Sequence, residues 1–296
     1  MNRTACQLFT TVELQVVTVI AMLIVAVIVP AIAQRRSVRI ALVSDPHTTR
    51  ATSGDAALYR GRFERVIAEV NAARPDLVLL AGDLTQGGKA EELDDFLALA
   101  RRFTAPTRWV YGNHDVGGKH MPGESGGIAA EQLDRVESRL GPSFWILETP
   151  GVRVLGANAS LLGSGLERER EQWAFLEREL GRRSRQPTLL LMHYPLFTES
   201  PSEPGGVYWN VEPEPRQRLL GLLRRGRARG VLSGHLHHPL TLGSGGLFCY
   251  SAPSVAFGLP GGRQPEGWTL ITLAPDGTIA ARTHYLAEEP IGAAVK

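Results

Sequence analysis

A chain of 296 residues, 43% hydrophobic and 21% charged, has the make-up of one large or two ordinary globular domains, which excludes a disordered polymer. A formal net charge of +2 with no dense basic stripe gives no basis for binding nucleic acid by bulk charge. Two cysteines, Cys6 and Cys249, cannot make a disulfide framework and lack metal-ligand spacing; Cys249, within the apolar run 247–250, reads as a buried strand thiol.

The first element is an apolar run. Residues 16–33 read VVTVIAMLIVAVIVPAIA, uncharged, with Thr18 as the polar residue, about the length of a helix that crosses a hydrocarbon core. Three readings fit. As a signal anchor, the run is followed by Arg35, Arg36 and Arg39 and preceded by Arg3, offset by Glu13; the positive-inside rule then places the rest in the cytoplasm, at a bacterial inner membrane. As a cleaved signal peptide, Pro30 breaks the helix and Ala31-Ile32-Ala33 offers an A-x-A site, giving a periplasmic or secreted domain. As a misread start, synthesis begins at Met22 or later. The expected organisation is an anchor or signal peptide over 1–36 and one domain over 37–296.

From residue 37 short apolar runs alternate with amphipathic stretches. Strands are predicted at 38–44, 77–81, 108–111, 152–157, 188–192 and 230–233, each rich in aliphatic residues and bounded by Gly, Pro or Asp. Helical stripes lie between them: Phe63, Val66, Ile67 and Val70, stopped by Pro75; Leu93, Phe96, Leu97 and Ala100; Leu133, Val136 and Leu140, ended by Gly141-Pro142; Trp173, Leu176 and Leu180; and Leu219, Leu220, Leu222 and Leu223. Core packing accounts for all five. Strands alternating with helices imply an α/β layered domain. Farther on, 243–256, 268–273 and 279–285 look like strands without intervening helices, which suggests a second, partly antiparallel sheet.

The chemistry gathers at strand ends. Strand 38–44 runs into Asp45-Pro46-His47, strand 77–81 into Gly82-Asp83-Leu84-Thr85, and strand 108–111 into Gly112-Asn113-His114-Asp115. Strand 188–192 is followed by His193-Tyr194-Pro195, and strand 230–233 by Gly234-His235-Leu236-His237. Open α/β sheets place their sites at such carboxyl ends. Five of the eight histidines lie in these blocks, with three acids and Asn113. Oxygen and imidazole donors in this mixture suit Mn, Fe or Zn better than Ca. In a locally extended chain Asp45 and His47 point the same way and can grip one ion; His235 and His237 share that spacing, but nothing forces them onto the same ion. A carboxylate such as Asp83 can bridge two cations about 3.5–4 Å apart. Asn113 adds an oxygen without charge, His114 is free for acid–base work, and Asp115 is placed to orient His114 or raise its pKa.

Singly each block is weak. Together and in this order, DPH, GDLT, GNHD, MHYP and GHLH resemble the signature of the calcineurin-like metallophosphoesterase superfamily over about residues 39–286. The resemblance implies an α/β fold, a four-layer αββα sandwich of two mixed sheets, here preceded by an N-terminal apolar helix. It implies one metal ion on Asp45, His47, Asp83 and His237, a second on Asp83, Asn113, His193 and His235, and His114 as catalytic histidine beside Asp115. The implied activity is hydrolysis of a phosphate monoester, from a small molecule or a phosphoprotein, by a metal-bridging hydroxide with two Mn, Fe or Zn ions as cofactors. A phosphodiesterase acting on cyclic nucleotides or other diesters is the alternative, and a non-catalytic binding platform a third reading disfavoured by the full donor set. The stretch from Tyr208-Trp209-Asn210 through Arg218 to Ser251-Ala252-Pro253-Ser254 resembles, more loosely, a subgroup with small serine/threonine-type phosphatases. Two Pro, Gly and aromatic-rich segments, 117–127 and 203–210, are candidates for the rim of the cleft. His120 and His284 read as incidental, and His238 as a possible neighbour of the ligands.

Overall fold

The computed structural model of the protein describes residues 36–121, 127–182, 184–260 and 264–287. The apolar run at 16–33 and Cys6 lie outside the described residues, and among those described no helix is long and apolar enough to cross a membrane.

Two mixed sheets form the centre. The first comprises β1 (Val38–Val43), β2 (Leu77–Ala81), β3 (Thr107–Val110), β10 (Gly267–Leu273) and β11 (Ile279–Tyr285), in the order β11-β10-β1-β2-β3. The second comprises β4 (Trp145–Thr149), β5 (Val152–Gly156), β6 (Thr188–Leu191), β7 (Gly230–Ser233), β8 (Leu240–Ser244) and β9 (Leu247–Ser251), in the order β4-β5-β6-β7-β9-β8. Strands β1, β2 and β3 run parallel, as do β5, β6, β7 and β9, while β4, β8, β10 and β11 pair antiparallel with a neighbour.

Side-chain alternation explains why the sheets stack. Ile40, Leu42, Leu77 and Leu79 of the first sheet meet Val152, Val154, Leu189, Leu191 and Leu232 of the second in one buried cluster. Strands β2, β5, β6 and β7 are buried along their whole length, as expected for parallel strands covered on both faces. The opposite face of the first sheet, with Ala41, Val43, Val78 and Leu80, is covered by α1 (Tyr59–Ala73), α2 (Ala90–Ala100) and α4 (Ala130–Leu140). The outer face of the second, with Leu155, Leu190 and Val231, is covered by α5 (Glu167–Gly181) and α6 (Pro213–Arg225). The result is the αββα sandwich. Helix α1 ends on Arg74 in a left-handed conformation (φ 49°, ψ 61°), immediately before the helix-incompatible Pro75.

The strands after residue 240 depart from the expected separate C-terminal sheet. The stretch 243–256 is broken at Gly245-Gly246, both with positive φ (58° and 83°), so β8 and β9 form a hairpin on the edge of the second sheet. Strands β10 and β11 return to the first sheet, where β10 pairs with β1 and buries Trp268 and Ile271 on opposite sides. Strand β4, which the sequence reading leaves unassigned, is an edge strand of alternating exposure, with Trp145 Nε1 donating to Trp109 O at 2.7 Å. Cys249 lies on β9 as expected, but half-buried rather than buried; burial pushes its thiol up to about 12.

Candidate metal centre

The five motif blocks converge where the carboxyl ends of the two sheets abut. Asp45 N donates to Gly82 O at 3.1 Å, joining the loops after β1 and β2, and Gly234 N donates to His193 O at 3.0 Å, joining those after β6 and β7. The sheets are tied across the centre by His193 Nδ1 to Ala81 O at 2.7 Å and His235 N to Asp45 Oδ2 at 3.2 Å. Such close loops require glycine at particular points. A Cβ at Gly112 would overlap the Asp83 carboxylate and amide, and Gly82, at φ 92°, would bring a Cβ to 2.6 Å from the His193 ring.

Five of the candidate ligands adopt left-handed backbone: Asp45 (φ 53°), His47 (43°), Asp83 (47°), His235 (70°) and His237 (57°). Asp45 and His47 are therefore not in an extended chain as their spacing suggested; left-handed backbone at both residues, not strand alternation, aims them together. Each such residue costs about 1–3 kcal/mol and persists only where surrounding bonds fix it. At Asp45 the fixing is visible: its carbonyl accepts from Ala256 N at 3.1 Å and Ser254 Oγ at 3.0 Å. Ser251 Oγ donates to Gly234 O at 2.6 Å. The Ser-Ala-Pro-Ser segment thus buttresses the ligand loops.

Two donor groups result, one of Asp45, His47, Asp83 and His237, the other of Asp83, His193 and His235; within each group the ligand atoms all lie within 4.8 Å of one another. All six residues are buried, and Asp83 belongs to both groups. His237 Nε2 lies 3.3 Å from Asp45 Oδ1, and Asp83 Oδ2 lies 3.7 Å from His47 Nε2 and 3.3 Å from His193 Nε2. Asn113 Oδ1 lies 3.1 Å from His193 Nε2, so Asn113 joins the second group. His235 and His237 fall into different groups.

This set fits a pair of cations. Donors around a cation at about 2.0–2.3 Å stand roughly 3.0–3.7 Å from each other, the spacing seen here. Nδ1 of His193 and of His237 face backbone carbonyls (Ala81 at 2.7 Å, Phe257 at 2.8 Å), which makes them N–H donors there and leaves Nε2 to bind. His235 faces the other way: Nε2 meets Tyr208 O at 3.3 Å and Nδ1 turns toward His193. Asp45 Oδ1 and His47 Nδ1 are buried without a well-aligned hydrogen-bond partner. Electrostatics give the same picture. Burial works against ionising Asp83, yet the positive charge on His193 holds its carboxyl far below the usual range. Burial would lower His193, but Asp83 raises it to about 9. Burial drives His47 down to about 4 and His235 to about 3, so both are neutral imidazoles at pH 7.

His114 is half-buried at the edge of the first group. Its amide donates to Asp83 Oδ1 at 2.9 Å, its Nδ1 meets Gln86 O at 2.9 Å, and its ring stands edge-on to His47 at 4.6 Å. Asp115 departs from the expected pairing with His114. It is fully buried, and its carboxylate accepts from Leu84 N (3.1 Å), Thr85 N (2.9 Å), Thr85 Oγ1 (2.8 Å) and Gly112 N (2.8 Å). The short helix α3 (Asn113–Val116) turns its side chain inward, so it fastens the loop of Asp83 to that of Asn113. Arg218 also lies elsewhere, with its guanidinium 4.0 Å from the Trp173 ring centroid and 2.8 Å from Glu177 on the helical layer.

The motifs alone do not identify the aromatic wall. Tyr208 Oη accepts from Asn113 Nδ2 at 3.1 Å, which turns the Asn113 oxygen toward His193, and its ring lies 4.7 Å from that of His235. Phe257 packs 4.3 Å from His237 and 5.1 Å from His47. The loop carrying Tyr208 is strapped by buried Lys119, whose Nζ donates to Val207 O and Glu212 Oε1 at 2.6 Å each. Its richness in Pro, Gly and aromatics was the available signal for Tyr208; a lysine buried as a strap has none.

A model of the calcineurin-like phosphoesterase family matches residues 38–239, the span that carries every block of this centre. The chain belongs to that family. As a calcineurin-like phosphoesterase it is a phosphoric ester hydrolase of a dimetal-dependent family, and it presents the candidate ligands for two ions. It is 24% identical over 236 residues to a probable cyclic nucleotide phosphodiesterase of Synechococcus, covering 78% of this chain and 84% of that one. It is 26% identical over 269 residues to the 3',5'-cyclic adenosine monophosphate phosphodiesterase CpdA of Escherichia coli, covering 85% and 90%. To the human serine/threonine-protein phosphatase CPPED1 it is 25% identical over 230 residues, covering 72% and 69%. Among solved structures, a dimetal phosphatase from Danio rerio superposes with a TM-score of 0.56 at 13% identity, over 84% of this chain and 99% of that one, a likeness of fold.

Proposed function

We propose that this phosphoesterase hydrolyses a phosphate monoester, of a small molecule or a phosphoprotein, at a two-cation centre. Asp45, His47, Asp83 and His237 would hold one ion, and Asp83, Asn113, His193 and His235 the other. When bound, the cations supply Lewis-acid stabilisation of charge on the phosphoryl oxygens. The observation that carries the reading is Asp83, buried and shared by both donor groups. His114 is the acid: its Nδ1 is committed to Gln86 O, so in the imidazolium form Nε2–H is the proton available to the leaving oxygen. Asp115 is a positioning residue, since it holds the Asp83 and Asn113 loops together through four hydrogen bonds.

Preference for a monoester is supported by the crowding of the centre. Tyr208 packs against His235 and Asn113, and Phe257 against His47 and His237, so aromatic rings wall the donors on two sides. The similarity to CpdA supports a second reading, a cyclic-nucleotide diesterase. The apolar run at 16–33 supports a membrane tether with the domain in the cytoplasm. A panel of nitrophenyl phosphate, bis-nitrophenyl phosphate, cyclic AMP and a phosphopeptide, assayed with Mn²⁺, tests the substrate reading. Turnover of the monoesters above the diesters is expected, and the reverse order would replace it with the diesterase.

A further inference from the structure

Beside the donor cluster lies a cleft of about 510 Å³ that the hydrolytic machinery does not use. Its walls include Trp209, Leu236, Leu240, Leu259 and Pro260, with His238 at one side. Leu236 separates His235 from His237, so the cleft shares a wall with the ligand loop itself. Trp209, 43% exposed, has its ring 5.7 Å from that of His235, so one wall of the cleft also flanks the second donor group. The volume falls within the roughly 300–1,000 Å³ of small-molecule sites.

The chemistry of the walls narrows the occupant. Among the described residues no lysine or arginine lines the cleft and Glu199 does, which disfavours a second phosphate or an acidic peptide. Of the polar groups at its wall, His238 Nδ1 meets Leu236 O at 2.9 Å, and Thr198 N donates to Glu203 at 2.8 Å. The rest of the wall is aliphatic and aromatic, a surface that a hydrocarbon chain matches without polar partners. We propose that this cleft is the leaving-group subsite and takes the alkyl chain of an alkyl phosphate monoester. This rests on the monoester reading and adds the class of alcohol released. Water adds across the ester P–O bond, so that phosphate and the long-chain alcohol leave, the alkoxide oxygen receiving its proton from His114.

The test uses the full chain with Mn²⁺ and a series of butyl, hexyl, octyl and decyl phosphates below their micelle concentrations. Burying each methylene is expected to raise kcat/KM about two- to fourfold, mainly through KM. Leu240→Gln is expected to flatten that slope, lowering kcat/KM several-fold more for decyl phosphate than for butyl phosphate. Binding of decylphosphonate against methylphosphonate, followed by tryptophan fluorescence, gives a readout independent of turnover; the decyl compound is expected to bind at least tenfold more tightly, and Trp209→Phe to remove most of the signal change. Turnover with no dependence on chain length would overturn the subsite and leave the monoesterase standing. Absence of any monoester turnover would overturn the monoesterase, and the phosphonate comparison would still decide the cleft: equal affinities overturn it. Cyclic AMP turned over faster than octyl phosphate, and weakened by Leu240→Gln, would assign the cleft to a nucleoside instead.

Discussion

The Nε2 atoms of His47 and His237 lie 3.4 Å apart, although the residues are 190 positions apart in sequence. His237 Nδ1 is taken up by Phe257 O, and burial keeps His47 neutral, so two ring nitrogens meet with Asp45 and Asp83 as their nearest anionic neighbours. Nitrogens so placed repel unless a proton or a cation sits between them and the carboxylates. The first occupant is provided by protonation of His237, whose pKa is raised because the Asp45 carboxylate outweighs burial. The second is a metal ion.

That competition sets a pH dependence. In the metal-free protein His193 is raised to about 9, because Asp83 outweighs burial. A raised folded pKa gives stability fully present below the ordinary 6.5 and lost as pH climbs through about 9. His47 and His235, lowered by burial to about 4 and about 3, act in the opposite sense and cost stability as pH falls below 6.5. The metal-free thermal midpoint is therefore expected to peak near neutrality and to fall from about pH 7 to about pH 9. Cations replace the proton on His193, so the gap between loaded and metal-free midpoints widens over that range. Scanning fluorimetry with and without chelator checks this; a metal-free midpoint that rises toward pH 9 contradicts it.

For His114→Ala the expected outcome is full metal content with turnover reduced about 10²–10⁴-fold. The loss should be smaller for nitrophenyl phosphate than for an alkyl phosphate, whose leaving oxygen needs its proton. Equal losses on both would remove His114 from the role of acid.

Asp115→Ala strands three buried amides and the Thr85 hydroxyl. Hydrogen bonds to a charged group contribute about 1.5–3 kcal/mol each, so a loss of several kcal/mol is expected in urea unfolding, together with weaker metal retention. Asp115→Asn should lose less. Lost turnover at unchanged stability and metal content would restore the pairing with His114 that the sequence suggested.

Much of this was legible beforehand because β1, β2, β5, β6 and β7 are short aliphatic runs ending on Asp, Gly or His, and the parallel layers demand such runs. Their boundaries fall within a residue or two of expectation. The hairpin at Gly245-Gly246 was hidden in a stretch read as continuous, and β4 lacked an apolar run because an edge strand alternates. The seven candidate ligands were legible by resemblance, but the inward turn of Asp115 depends on backbone geometry that spacing in sequence does not carry. The wall made by Tyr208 and Phe257 comes from loops, where the chain has no period to read.

A chain beginning at Ser37 is expected to fold with the same thermal midpoint and metal content as the full protein, because β1 begins at Val38. Fractionation should then find the full chain in membranes and the shortened one in the soluble fraction. A soluble product beginning at Gln34 would instead mean cleavage and export, and one beginning at Met22 or later a misread start.

The proposed two-cation centre depends on Asp83 serving both donor groups at once. Its most direct test is elemental analysis of Mn²⁺-loaded protein after gel filtration, wild type beside Asp83→Ala. Two ions per wild-type chain are expected, with loss of most of both in the variant, since each donor group gives up the same carboxylate. A variant that keeps both ions, or a wild type that holds one, would contradict it.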